Sequence, residues 1–424
     1  AAGNADFSTL VELVGAAGLA ETLSGEGPFT VFAPTNEAFA KLPAEVVAYL
    51  GSHPEVLTAA LTYHVVPGKV MAADVIGMGS GEVASVQGDV IQVAVSDAGV
   101  KVNSANVVAT DIEASNGVIH VIDSVILPTI ELPAVDPLAI SDNIIAAGSS
   151  TVFPVTERMA DLFNQEGFAG TITVDSIGTG GGFERFCVNA ETDISNASRP
   201  IRNEESAACA GNNRTPIEFY IAVDALAVVV SNENTFVDSL SLEQLAAIFS
   251  GEAATWADVN AAWPAEAIQL FSPGTDSGTF DYFVEEVFDE DETKILNAAG
   301  IQLSEDDNVL VQGVLGSQYA IGYFGFAYYL ENANTLRAIP VEGIEPNAST
   351  AETGTYPLSR PLFIYSDASI LQSKPQVAAF VNYYLTNVQT QLGTEEGQIG
   401  YFPVGRDVLN LDKLEWLAAT SAGM

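Results

Sequence analysis

Thr275-Asp276-Ser277-Gly278-Thr279 runs directly into Phe280-Asp281-Tyr282-Phe283. Small polar residues give way there to apolar ones at helical spacing. The arrangement occurs twice more. Gly148-Ser149-Ser150-Thr151-Val152 precedes a helical pattern over 155–163, and Gly178-Thr179-Gly180-Gly181-Gly182 leads into Phe183-Glu184-Arg185-Phe186. Each cluster exposes unsatisfied backbone N–H groups at a helix start, with a hydroxyl beside them. Such a terminus acts like roughly half a positive charge. For any single cluster the plain alternative is a cap and a turn. Three within one segment point instead to an oxyanion site. None fits a nucleotide loop, because G-x-x-x-x-G-K-[ST], its lysine and the dinucleotide glycine spacing are all missing from this sequence.

Around these clusters, from residue 139 onward, strand-like runs (171–177, 225–230, 320–324) alternate with helical periods (155–163, 242–249, 280–288, 376–385). That alternation predicts an α/β architecture. The whole chain has 424 residues and a formal net charge of −41, with 14 basic against 55 acidic side chains. So acidic a surface repels phosphodiester backbones and anionic membranes, which excludes nucleic acid as the main partner. It suits an extracellular protein, so the expected location is secreted, periplasmic or cell-surface. Ala1-Ala2-Gly3 opens the chain without the basic and apolar regions of a secretory signal. His53, His64 and His120 are the only histidines. The later three hundred residues therefore assemble no Ser-His or Cys-His machinery, and with two cysteines no thiolate metal cluster forms. No catalytic residue, metal or cofactor is expected.

Every arginine lies beyond residue 129, whereas Lys41, Lys69 and Lys101 are the only basic residues before it. The shift coincides with the two prolines Pro133 and Pro137, so a semi-extended linker is predicted over 129–138. Before it, Phe7, Leu10, Val11, Val14 and Leu19 recur at helical spacing. Residues 29–33 read as a buried strand, and Pro34-Thr35-Asn36 as the cap of a helix carrying Ala38, Phe39 and Leu42. Alternation predicts further strands over 83–86, 90–95, 100–102 and 118–125. This is a compact α+β pattern. Phe29-Thr30-Val31-Phe32-Ala33-Pro34-Thr35-Asn36-Glu37-Ala38-Phe39, Leu61-Thr62-Tyr63-His64-Val65-Val66-Pro67-Gly68 and Asn116-Gly117-Val118-Ile119-His120-Val121-Ile122-Asp123 together resemble, in order, the signature blocks of fasciclin domains. The resemblance implies adhesion, through protein or carbohydrate contacts, for 1–128. His64 and His120 read as structural hydrogen-bonding residues.

Within 139–424, residues 148–153, 177–182, 193–200, 272–280 and 320–324 resemble the phosphate-binding proteins of Pst ABC transporters. That implies a two-lobed periplasmic-binding-protein-like (type II) α/β domain, with lobe 1 about 139–223 plus 366–424 and lobe 2 about 224–365. It also implies inorganic phosphate as ligand and an ABC transporter permease as partner. Carried over residue by residue, Ser150, Thr151 and the Val152 amide donate from the first loop and Thr179 from the second. Ser277, Gly278 and Thr279 donate from the third. The family's acceptor aspartate is replaced by Ser198, and its arginine by Pro273. We read the two roles as exchanged between loops. Arg199 supplies the cation, against the alternative of a salt bridge to Glu204 or Glu205; Asp276 accepts the phosphate proton, against that of a helix cap. Cys187 and Cys209 flank the Arg199 turn. Pairing, which would brace that turn, is favoured over two buried thiols. The competing function is a structural or adhesive protein using the phosphate fold as a scaffold.

Overall fold

The computed structural model describes residues 3–96, 99–275, 277–393 and 397–421. The chain divides into two compact units, 1–134 with 405–424, and 135–404.

In the first unit, Phe29–Pro34 lies parallel to Gly117–Ile122, pairing Phe29 with Gly117 through Pro34 with Ile122. The two strands sit inside a sheet ordered Val65–Pro67, Phe29–Pro34, Gly117–Ile122, Ala105–Ala114, Gly99–Val102, Val90–Ser96, Gly81–Ala84. Ala105–Ala114 was not anticipated from the sequence. Most of its residues are exposed, so it carries no apolar alternation to read. Thr35 caps the helix Asn36–Phe39 by accepting from the Ala38 amide at 3.2 Å. His64 is fully enclosed: Nδ1 lies 2.7 Å from the Ala60 carbonyl, and Nε2 accepts from the Ile126 amide at 3.2 Å. These partners require the neutral ring with its proton on Nδ1. His120 is similarly occupied, between the Val70 carbonyl and the Asp111 amide.

The expected linker is only partly one. Ile130 is buried in the first unit's core, its amide donates to Asn410 at 3.1 Å, and the Thr129 amide donates to Asp89 at 2.8 Å. The C-terminal helix Arg406–Ser421 also belongs to this unit, not to the later lobe where the sequence reading put 366–424. The reason is physical. Leu414 and Ala418 fill the same core as Phe39, Val46 and Leu50. Asp407 accepts from the Ser104 hydroxyl (2.7 Å), Asn103 Nδ2 (3.0 Å), and the Ser104 (3.1 Å) and Leu127 (3.3 Å) amides. Arg406 donates to the Tyr63 hydroxyl and, at 2.8 Å, to the Val90 carbonyl.

The second unit is built on a sheet ordered Gln302–Ser304, Gln269–Pro273, Ala320–Gly325, Pro216–Ser231, Ser359–Asp367, Ile194–Ala197, Ile144–Gly148, Ile172–Ser176, with Leu336–Ala338 also on Pro216–Ser231. The first part of the 216–231 strand pairs with Ser359–Asp367, and the last part with Ala320–Gly325 and Leu336–Ala338. From Ile221 to Ser231 every residue is buried, as expected of a strand covered on both faces. Among the described residues no helix is long and apolar enough to cross a membrane.

Two predictions follow from the first unit's buried polar groups. Asp407→Ala leaves the buried Leu127 amide and the part-buried donors of Asn103 and Ser104 without their acceptor and should cost that unit about 2 kcal/mol, read as faster hydrogen exchange in its sheet. Burial depresses His64 to about 4 from its ordinary 6.5. The unfolded chain therefore takes up a proton below 6.5 that the folded chain refuses until about 4. His64's contribution is intact above pH 6.5 and is lost at about 1.4 kcal/mol per pH unit through that window. His64→Gln should flatten the slope of melting temperature against pH between those limits; an unchanged slope would assign it to other groups.

Candidate functional site

Strand ends and helix starts of the second unit meet around a cavity of about 450 Å³. Gly148 ends its strand at φ +143°, and a Cβ there would lie 2.0 Å from the Asn196 carbonyl oxygen, so only glycine fits. A Cβ on Gly182 would lie 2.6 Å from Gly148 Cα, so a second glycine lets the helix Gly178–Phe183 press onto that turn. The glycines thus set the closeness of the loops, while neighbouring residues supply chemistry.

Ser149 Oγ accepts from the Thr151 (3.2 Å) and Val152 (3.4 Å) amides, starting the helix Phe153–Gln165. The Val152 amide, expected to face a ligand, is therefore turned to Ser149, and Val152 is fully buried. Ser150 and Thr151 line the cavity. The Thr151 carbonyl accepts from the Tyr401 hydroxyl at 3.0 Å, while its own hydroxyl has no hydrogen-bond partner among the described residues. Thr179 and Ser198 come together as a pair: their hydroxyls are 3.1 Å apart, and Thr179 Oγ1 also accepts from the Ser198 amide at 3.1 Å.

Arg199 lines the same cavity, and it makes the salt bridge held open as its alternative role. Its Nη1 and Nη2 fork onto Glu205 at 2.9 and 2.7 Å. Burial works against the Glu205 carboxylate, but Arg199 and the Arg202 amide outweigh it and hold the carboxyl below its usual range.

Ser277 caps the helix Gly278–Phe288, its Oγ accepting from the Thr279 amide at 3.2 Å. Ser277, Gly278 and Thr279 are not among the residues lining the cavity. Gly278 instead packs on the first loop, where a Cβ would sit 3.1 Å from Thr151 Oγ1. Asp276 lies outside the described residues. The wall on this side is formed by Phe280, Asp281, Val284 and Glu285. The sequence reading does not single out Asp281, although its place in the first turn of the helix that follows the Gly/Ser/Thr loop is a signal for it. Burial pushes its carboxyl up and Glu292 adds to this, against Arg360 and a 3.5 Å contact from the Ser150 hydroxyl. Arg202, Arg360, Glu290 and Glu292 also line the cavity. A cavity with guanidinium and hydroxyl donors facing carboxylate acceptors can hold an oxyanion that still carries a proton.

A PBP superfamily domain matches residues 134–388, well over half of the chain. The chain belongs to the PBP superfamily. A fasciclin domain matches residues 5–128. Over 269 residues the chain is 42% identical to Protein SphX of Synechococcus elongatus, which covers 61% of this chain and 77% of that protein. It is 39% identical over 243 residues to the phosphate-binding protein PstS of Staphylococcus saprophyticus, covering 56% and 75%. A solved structure of a possible phosphate binding protein from Planctomyces limnophilus is 36% identical, with a TM-score of 0.60, covering 66% of this chain and 99% of that one. The PBP domain is a two-lobed α/β domain.

Within the PBP domain, Cys187 and Cys209 form a disulfide. It joins the π-helical turn Glu184–Val188 to the helix Asn203–Gly211, which carries Glu205 and so the partner of Arg199. Closing a loop of 22 residues' separation is worth about 3 kcal/mol in the chain-entropy model. Reduction should therefore lower the melting temperature of the PBP domain by several degrees; identical melts with and without reductant would contradict it.

Proposed function

We propose that the PBP domain binds inorganic phosphate in this cavity, in the cleft between its lobes, for ABC-type uptake. The observation that carries the reading is the convergence of the Thr151 hydroxyl, unpaired among the described residues, the Thr179–Ser198 hydroxyl pair, Arg199 and Asp281 on one cavity. Relatives named as phosphate-binding support it. Ser150, Thr151, Thr179 and Ser198 supply neutral donors. Arg199, oriented by Glu205, supplies charge through the N–H groups that the fork leaves over. An acceptor carboxylate takes the phosphate proton. Asp281 stands in the cavity wall for this role, and Asp276, five residues earlier in the sequence, is the second candidate. Either would disfavour sulfate, which near neutrality has no proton to give. The chain is a binding protein and not an enzyme. The fasciclin domain is assigned to contacts with extracellular protein or carbohydrate, on its family alone. The net charge of −41 does not oppose capture, since exposed charges more than about 10 Å away are screened at moderate salt.

Isothermal titration of the full chain with phosphate and with sulfate tests the reading. Phosphate should bind and sulfate should not. Arg199→Ala should weaken phosphate about tenfold or more, since a charge-assisted contact is worth ~1.5–3 kcal/mol. Asp281→Asn and Asp276→Asn are then compared by the ratio of phosphate to sulfate dissociation constants. The variant that lowers the discrimination identifies the acceptor, and unchanged ratios in both would remove the carboxylate from the selectivity argument.

A further inference from the structure

One guanidinium of the cavity wall was announced by no loop pattern. Arg360 stands just inside the strand Ser359–Asp367, directly opposite Asp224 in the antiparallel ladder with Pro216–Ser231. The side chains of the pair are 6% and 4% exposed. Nε and Nη2 both reach Asp224 Oδ2 at 3.1 Å, and Nη2 also donates to the Gly278 carbonyl at 2.9 Å. The guanidinium lies 4.0 Å above the Tyr282 ring. It is fixed from three directions, yet its Nη1 has no hydrogen-bond partner among the described residues, and Arg360 is part of the cavity lining.

Two physical arguments favour a ligand for that nitrogen. The side chain is enclosed apart from the cavity it lines, so its remaining terminal nitrogen can reach only what enters there. Stability alone gives little reason to bury an ion pair, since apolar pairs of the same volume generally serve as well. The location fits too. Gly278, whose carbonyl Arg360 holds, is the residue pressed against the Thr151 hydroxyl, so the unpaired hydroxyl and the guanidinium adjoin the same helix start. Arg199 is less free, since Glu205 occupies both of its terminal nitrogens and the Pro200 carbonyl takes a further bond from Nη1.

We propose that Arg360 is a ligand-binding residue, its Nη1 donating to an oxyanion oxygen while Asp224, Gly278 and Tyr282 hold the guanidinium in place. This rests on the reading of the cavity as a phosphate site and deepens it by adding a buried, preorganised cation to the one that Arg199 supplies. The test is isothermal titration of the full chain with inorganic phosphate, alongside thermal melting. Arg360→Gln alone would strand Asp224, so the informative variants are Arg360→Lys and the neutral pair Asp224→Asn/Arg360→Gln. Lysine keeps a charge for Asp224 but has no second terminal nitrogen to offer. Both variants should melt within a few degrees of the parent and bind phosphate about tenfold or more weakly, as expected for a lost charge-assisted contact. If the neutral pair does not melt cooperatively, Arg360→Lys alone decides. An affinity within about twofold of the parent in a folded variant overturns the role of Arg360 and leaves the phosphate reading standing. Absence of phosphate binding by the parent protein overturns the phosphate reading, and this proposal with it.

Discussion

The ladder between Pro216–Ser231 and Ser359–Asp367 constrains the rest of the PBP domain. One long strand supplies hydrogen-bonding edges to both parts of the sheet, and it changes partners close to Asp224. The register sets Asp224 opposite Arg360, and cross-strand neighbours of opposite charge favour one another. A slip of one residue would send every side chain to the opposite face of the sheet, so the same hydrogen bonds that build the sheet also aim the guanidinium. The helix start at Gly278 is tied to this point by its carbonyl, and the first loop is tied to the helix start by the contact of Gly278 with Thr151. Loop geometry in this cavity therefore follows from strand register.

What could be read in the sequence was local. Gly148, Thr151, Thr179 and Ser277 announce themselves, because turns, glycine contacts and caps are made by residues within a few positions of one another. Helix starts at Phe153 and Gly278, and the strand Ala320–Gly325, follow from the same short-range patterns. Arg360 was out of reach, since its meaning depends on Asp224, 136 positions away. Asp281 was missed because the loop drew attention to hydroxyls, while the cavity is walled by the following helical turn. The Val152 amide was overvalued for a related reason: a serine one turn earlier already satisfies it.

The first unit shows a different dependence on distance. Its two signature histidines serve the backbone, one joining a helix end to the segment after the last strand, the other joining Val70 to Asp111. Both could be assigned a structural role from the apolar sequence around them. The C-terminal helix could not be placed. The decisive partners of Asp407 lie about three hundred residues earlier.

That placement makes the order of synthesis matter. Residues 135–404 are inserted between two pieces of a single unit, so a ribosome releases the sheet of the first unit long before it makes the helix that completes its core. Domains fold largely as they emerge, N-terminal first, but Leu414 and Ala418, which help to fill this core, are made only after residues 135–404. The nascent first unit therefore leaves the part of its core that meets Leu414 and Ala418 uncovered while residues 135–404 are being made.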